Sequence, residues 1–161
     1  MKFGLILLAF VFASISSDLS ELRKLYPKAA DNKENAGVFF SKASQIKSDD
    51  AVVVAYQGVA FTLKAKYEKE LSKKKSNFKK GAEMLEGSIQ KDPQNIELRT
   101  LRLSVQENSP KILNYNKNIE EDKKVILANF SKSKSEVKTF VSEFASASKS
   151  FSEQEKKTLK P

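Results

Sequence analysis

The sequence contains no cysteine and no histidine. Without cysteine there is no disulfide bond, no thiol nucleophile and no thiolate metal site. Without histidine there is neither a Ser-His-Asp triad nor the usual ligand set for zinc. Only an enzyme that works with carboxylates alone, or a metal site built from oxygen ligands, survives these absences. We therefore expect neither catalysis nor a metal ion or other cofactor.

Glycine and proline are also scarce, with five and four residues in a chain of 161. A protein made of many short strands needs more turn residues than this. Long periodic segments rich in Lys, Glu, Leu, Ala and Ser predict an all-α protein instead. The composition, 40% hydrophobic and 30% charged, is that of a globular domain with a core of its own.

Arginine is the third scarce residue type. Of the 29 basic residues only Arg23, Arg99 and Arg102 are arginines, although the formal charge is +9. Proteins that read nucleic acids favour arginine, because its guanidinium group binds bases and phosphates in a bidentate way. A surface of lysines is more typical of solubility or of diffuse attraction to anionic surfaces. We therefore expect no nucleic-acid partner.

Residues 1–16 have the layout of a secretory signal peptide. One lysine precedes the apolar run Phe3–Phe12, and small residues follow it. Cleavage is predicted after Ala13 or after Ser16, and the pattern leaves both open. The run is shorter than the roughly 20 residues of a membrane span. We expect an exported protein, periplasmic or extracellular, with no transmembrane span after cleavage. The alternative is a buried N-terminal helix.

Helix signals follow one another from there. Asp18–Tyr26 is amphipathic and predicts a helix that ends at Pro27. Asp31, with Glu34 three residues later, predicts the start of a second helix through a capping box. The acidic pair Asp49–Asp50 predicts the start of a third, where negative charge suits the helix dipole.

A helix–turn–helix unit is predicted over Phe78–Gln106. The turn is at Asp92–Asn95, where Pro93 stops the first helix. Small and large residues alternate along that helix at a spacing that lets a neighbouring helix approach closely at the small ones. These residues are Gly81, Leu85 and Ser88.

The same spacing of small, large and small residues recurs at Ala36, Phe40 and Ala43, and Gly58 and Phe61 continue the register. On these residues the chain resembles tetratricopeptide repeats over residues 17–130. The resemblance implies an array of antiparallel helix pairs, about six helices in all. An irregular helical bundle is the alternative.

The register is interrupted once and then resumes. Gly58 and Gly81 are 23 residues apart, more than the repeat requires, which predicts a basic insertion near residues 66–77. We expect it to form a longer helix and a protruding turn centred on LSKKKSN. A turn is next expected at Asn108–Pro110, and then a helix from Pro110 to about Asn129 that buries, among others, Ile112.

Residues 131–161 are predicted to form a C-terminal capping helix and a frayed tail. The helix carries an apolar stripe, and a short helix could restart at Ser152. The segment Leu101–Lys124, together with the signal peptide, also resembles a group of uncharacterised exported bacterial helical proteins. That resemblance implies an envelope location and no particular activity. The stripe consists of Val137, Phe140, Val141, Phe144 and Phe151.

The leading functional hypothesis is a non-enzymatic scaffold that binds a protein or peptide, or assists assembly, in the cell envelope. The family resemblance implies a groove lined by the first helix of each pair. The groove positions that it implies are Val52, Ala55, Val59, Thr62, Lys66, Glu97, Thr100, Ser104, Glu107 and Asn108.

Two alternatives remain open. An enzyme could use Glu120, Glu121 and Asp122, but consecutive helical residues point about 100° apart, so a solvated face is favoured. The segment Lys64–Lys80, with eight lysines and two glutamates, could bind anionic surfaces. The competing interpretation is a solvated charged turn that binds nothing. Its basic patch is Lys69, Lys73, Lys74, Lys75, Lys79 and Lys80.

Two charged residues fall on apolar helical stripes. Arg102 lies among leucines on the helix after Asn95, and Asp122 follows Ile119 at the same kind of spacing. A lone buried charge costs several kcal/mol, so we expect Arg102 to bond Asp122. Arg99 or Tyr115 is the expected third member. The alternative is that one of the pair reaches solvent.

Overall fold

The computed structural model describes the backbone of residues 3–161 and the side chains of residues 16–161. Over this range the chain forms α-helices and no strand, which confirms the all-α class. Single 3₁₀ turns lie at Lys111–Leu113 and Phe130–Lys132. The helices are α1 (Phe3–Ala29), α2 (Lys33–Gln45), α3 (Ala51–Tyr67), α4 (Leu71–Lys91), α5 (Ile96–Asn108), α6 (Ile119–Asn129), α7 (Ser135–Ala147) and α8 (Glu153–Thr158).

Polar side chains cap the starts of α2, α3 and α5. Asp50 and Asn95 cap α3 and α5 by accepting backbone N–H groups of the first turn. The two helices start where the acidic pair Asp49–Asp50 and the turn at Asp92–Asn95 predict them. The predicted cap of α2 is wrong by one residue. Asn32 rather than Asp31 has the extended backbone of a cap, and its side chain accepts the N–H of Asn35 at 2.8 Å.

α1 is a single helix that contains Pro27 in its last turn, so the predicted end at this proline is wrong. A proline near the end of a helix removes one hydrogen bond, and the last turn still closes. Met1 and Lys2 of the predicted signal peptide lie outside the described residues. Leu19 and Leu22 pack on the core, and both follow the two predicted cleavage sites.

α3 and α4 pack backbone to backbone at Gly58 and Gly81. A Cβ on Gly58 would lie 2.8 Å from the carbonyl oxygen of Gly81, and a Cβ on Gly81 would overlap Gly58 and Thr62. Leu85 and Ser88 are buried one and two turns further on. The close approach predicted at the small residues is therefore confirmed.

The predicted turn in the basic insertion is misplaced. α3 ends at Tyr67, and the connection is only Glu68–Glu70. The Glu68 carboxylate closes this turn by accepting the N–H groups of Lys69 and Glu70, at 2.8 and 3.2 Å. The lysines that follow are good helix formers and extend the N-terminal end of α4.

The helix predicted from Pro110 is also wrong at its start. The 3₁₀ turn ends at Asn114, whose backbone is left-handed with φ 50°, a conformation that asparagine tolerates. α6 begins only at Ile119. Ile112, predicted to be buried, is therefore 91% exposed.

α7 folds back over the body of the protein. It packs on α5, and the Phe140 ring meets Tyr26 of α1 and Tyr56 of α3 edge to face at 5.3 and 6.1 Å. A capping box at Ser152 starts α8. Leu159 is buried, so the tail that was expected to fray is packed as far as this residue.

Candidate functional site

α5 is buried on almost every side. Ten of its 13 residues are buried, including Glu97, Arg99 and Arg102. A charge removed from water needs a partner and hydrogen bonds. α5 accordingly takes part in two ion networks.

The first network surrounds Asp122 of α6, which is fully buried. Arg102 binds it through Nε to Oδ2 at 2.9 Å and through Nη2 to Oδ1 at 2.6 Å. Arg99 adds a bond from Nη1 to Oδ1 at 3.0 Å. The structure thus brings together the two residues that the helical stripes place inside, with Arg99 as a third member. We call this cluster the Asp122 network; its members are Asp122, Arg102, Arg99, Glu86, Tyr115, Glu121 and Gln106.

Further members lead from Asp122 to the surface. Arg102 Nη1 donates to Glu86 Oε2 at 2.7 Å, and the Tyr115 hydroxyl donates to Glu86 Oε1 at 2.8 Å. Arg99 Nη1 also binds Glu121 Oε1 at 2.6 Å. The helical stripes do not indicate Glu86, which lies on another helix pair.

Gln106 completes the shell by donating to Asp122 Oδ2 at 2.8 Å. Its position four residues after Arg102 on the same helix face was the one sequence signal available for it. Its own Oε1 accepts the backbone N–H of Asn118 at 2.9 Å, next to the start of α6. The network therefore also fixes where α6 begins.

Burial acts on the ionisable groups of this network. It raises the pKa of Asp122, and the guanidinium groups of Arg102 and Arg99 oppose that shift. Burial, and then the neighbouring Glu86 carboxylate, raise the pKa of Tyr115. Tyr115 therefore stays neutral and keeps the proton that it donates to Glu86.

The second network, which we call the Glu97 network, lies on the other side of α5. Arg23 of α1 binds Glu97 in a bidentate way, Nε to Oε1 at 2.8 Å and Nη2 to Oε2 at 2.7 Å. The Tyr56 hydroxyl donates to Oε1 at 2.8 Å. Burial raises the pKa of Tyr56 well above its ordinary value, so it acts as a neutral donor. These bonds join α1, α3 and α5.

Half of the predicted groove positions are buried by the packing of neighbouring helices. α4 lies against α3 at Thr62, which a Cβ on Gly81 would meet, and Tyr56 of α3 donates to Glu97 of α5. The positions that lie in the interior, where a partner cannot reach them, are Ala55, Val59, Thr62, Glu97 and Thr100.

The other five groove positions do not form one surface. Val52 and Ser104 are half-buried, and Lys66 and Asn108 are exposed. Lys66 Nζ donates to the backbone oxygen of Ala30 at 2.8 Å. Glu107 accepts the Ser148 hydroxyl and the Ser150 N–H, so the segment after α7 engages it.

The three consecutive acids on α6 diverge. Glu120 is 84% exposed and pairs with Lys123, whereas Glu121 binds Arg99 and Asp122 points inward. In the part of the chain that the structure describes, no group of acidic side chains is arranged to hold a metal ion.

An open depression of about 520 Å³ lies between the outer face of α4 and the loop that precedes α6. The rings of Phe78 and Tyr115 meet edge to face in it at 5.6 Å. Leu113 lines one side and is partly exposed, and its neighbour Ile112 is almost fully exposed. The remaining lining residues are Lys79, Ala82, Glu83, Glu86, Gly87 and Gln90.

Gly87 in this depression has no role in the packing of the fold. A Cβ placed on it would meet nothing within 4 Å, in contrast to Gly81 six residues earlier. Glycine inside a helix costs about 0.5–1 kcal/mol relative to alanine. The missing side chain therefore leaves open space on the surface of α4.

The predicted basic patch is exposed throughout. Its lysines lie in the α3–α4 turn and along the first turns of α4. Lys73 pairs with Glu70 at 2.7 Å, and Lys80 lies over the Phe61 ring, 4.1 Å from its centroid.

The chain matches no protein-family model, and it has no significant match among curated proteins or solved structures. None of the helices described combines the length and the apolar composition of a membrane-spanning segment.

Proposed function

We propose that this protein is a non-enzymatic, exported scaffold of the cell envelope that binds a protein partner, with a tetratricopeptide-like arrangement of its helix pairs. The signal-peptide pattern at the N-terminus supports export. In support of the arrangement, α3 packs with α4 and α5 with α6 as successive helices. The single observation that carries the binding role is the depression on α4, which replaces the groove as the binding site.

The chemistry of the depression suits a partner helix. Residues at i, i+4 and i+8 along α4, namely Phe78, Ala82 and Glu86, line it lengthwise. A partner helix can pack along this row, and the bare backbone at Gly87 admits it to the close distances of helix–helix packing. The exposed side chains of Ile112 and Leu113 then cover its apolar face. Removing these two side chains from water favours the complex.

Catalysis is disfavoured by what the acidic side chains already do. Asp122 and Glu97 are saturated by guanidinium and hydroxyl donors in the interior. The two carboxylates in the depression, Glu83 and Glu86, belong to the same helix, and Glu86 is bound to Arg102. A hydrolase of the two-carboxylate kind needs a pair facing each other across a cleft.

A crosslinking pull-down from an envelope extract tests the site with a matched pair of variants. Gly87→Leu fills the depression, whereas Gly37→Leu adds the same side chain to α2, also where a Cβ meets nothing within 4 Å. At both positions the first carbon of the new side chain enters open space. We expect the partner of the unaltered chain to be lost with Gly87→Leu and kept with Gly37→Leu.

A second variant, Leu113→Glu, tests the loop side of the depression. Recovery of the same partner, in the same amount, with both Gly87→Leu and Leu113→Glu would reject the depression as the binding site. Cell fractionation tests export separately: a cytoplasmic, unprocessed chain would reject the envelope location.

A further inference from the structure

One end of the α3–α4 hairpin projects from the body. We call residues 68–76 the lysine tip; every residue from 69 to 76 in it is exposed. From Gly81, where α4 meets α3, the helix runs back ten residues to Leu71, about 15 Å at the rise of an α-helix. The first turns of α4 are exposed on all sides, so the packing of the fold does not require this extension of the helix.

The neighbouring end of α3 is fixed, which makes the tip a defined feature. Lys66 Nζ and the Tyr67 hydroxyl both donate to the backbone oxygen of Ala30, at 2.8 and 3.0 Å. The Glu68 carboxylate closes the turn by accepting two backbone N–H groups. The tip therefore has a rigid base and a solvated end.

The charge of this end is positive. Residues 64–80 hold eight lysines and two glutamates. Glu68 is engaged by the backbone, and Glu70 binds Lys73 and the Ser72 hydroxyl. Lys74 and Lys75 make no ion pair with any residue that the structure describes. Ammonium groups thus surround the start of α4.

An apolar side chain sits among these lysines. Leu71, the first residue of α4, is 64% exposed. Removing a leucine side chain from water is favourable, whereas a soluble polyanion offers it no apolar environment. The boundary between lipid headgroups and acyl chains offers both: phosphates for lysines and hydrocarbon for leucine.

A nucleic acid fits this surface less well. The side chains of all three arginines are largely buried and bound to acids of the protein, so no guanidinium fork is free for bases or phosphates. What the surface presents is lysine alone, which attracts negative surfaces as a set of point charges.

We propose that the lysine tip docks end-on to an anionic lipid bilayer, with Leu71 entering the headgroup region and Lys69, Lys73, Lys74 and Lys75 contacting lipid phosphates. This inference goes beyond the proposed function and uses a different surface. A chain held in this way leaves the α4 depression free for its partner.

Co-sedimentation of the whole chain with vesicles tests the proposal. We expect binding to vesicles of mixed phosphatidylglycerol and phosphatidylcholine at low salt, its loss when ionic strength is raised about tenfold, and none to phosphatidylcholine alone. Replacing Lys73, Lys74 and Lys75 by serine should weaken binding at least about tenfold.

Matched controls separate the tip from net charge. A triple change to serine at Lys132, Lys134 and Lys149, which are also exposed, removes the same charge elsewhere and should have a much smaller effect. Leu71→Ser should weaken binding several-fold, whereas Val38→Ser, at an exposed site on α2, should not. Equal loss with both lysine triples, or equal binding by all variants, would overturn the proposal. So would binding to soluble polyphosphate as tight as to vesicles and unaffected by Leu71→Ser, which would indicate a soluble polyanion.

Discussion

The two ion networks of α5 differ in composition and in reach. The Glu97 network joins one acid to one arginine and one tyrosine and stays between α1, α3 and α5. The Asp122 network has two arginines and three acids, and Glu86 and Tyr115 carry it to the floor of the α4 depression. The buried charges of α5 are thus paired in two different ways. Only the Asp122 network connects the core to a candidate binding surface.

The networks also differ in the sequence separation between their partners. Arg102 and Asp122 are 20 residues apart, on successive helices. Arg23 and Glu97 are 74 residues apart. A helical stripe reveals charges that face inward together on neighbouring helices, but it carries no information about which distant helix will cover the other side.

The largest expected effect is that of Asp122→Ala. It leaves two buried guanidinium groups without their shared acceptor, and we expect a loss of about 3 to 5 kcal/mol in the free energy of unfolding. Urea denaturation followed by circular dichroism measures it. Glu120→Ala, at a neighbouring residue that is 84% exposed, should change stability by less than about 0.5 kcal/mol. Equal losses in the two variants would remove the claim that the Asp122 network stabilises the core.

The second effect is that of Glu97→Ala, which we expect to be smaller, about 2 to 3 kcal/mol. Only one guanidinium loses its partner, and the Arg23 side chain is already 17% exposed, so it can reach water. Amide hydrogen exchange should in addition speed up in α1 more than in α6. A loss greater than that of Asp122→Ala would reverse the ranking of the two networks.

The smallest effect concerns Glu121, at the outer edge of the Asp122 network. Its hydrogen bond from Arg99, and then that from Asn118, lower the pKa of Glu121 in the folded protein. A carboxyl group with a lowered pKa stabilises the fold above its unfolded pKa, about 4.3, and loses that contribution as pH falls through the folded value.

Because the Glu121 side chain is 52% exposed, we expect less than about 1 kcal/mol from it. Glu121→Gln should therefore be slightly less stable than the unaltered chain at about pH 7, and the difference should shrink as the pH falls below the unfolded pKa. Urea denaturation at neutral pH and at acidic pH measures it. A difference that is the same at both would show that the ionised carboxylate contributes nothing.

Local chemistry made much of the fold predictable. Asp50 and Asn95 indicate helix starts, because their side chains accept the first free N–H groups of the helix. Gly81 indicates close packing, because no side chain there separates the backbones of α3 and α4. The errors at Pro27 and Ile112 have local causes too, since a proline is tolerated in a last turn and an asparagine can end a helix turn early.

By itself, the sequence determined the all-α class, several helix boundaries and the inward direction of Arg102 and Asp122, since these depend on the helical period and on caps a few residues away. Only the tertiary structure decided which faces stay open. Five of the expected groove positions are buried under neighbouring helices, and the depression on α4 is left open instead. The reason is that burial is a property of pairs of surfaces. A helix's own residues specify that a face must be covered, and only the packing of the whole chain specifies by what.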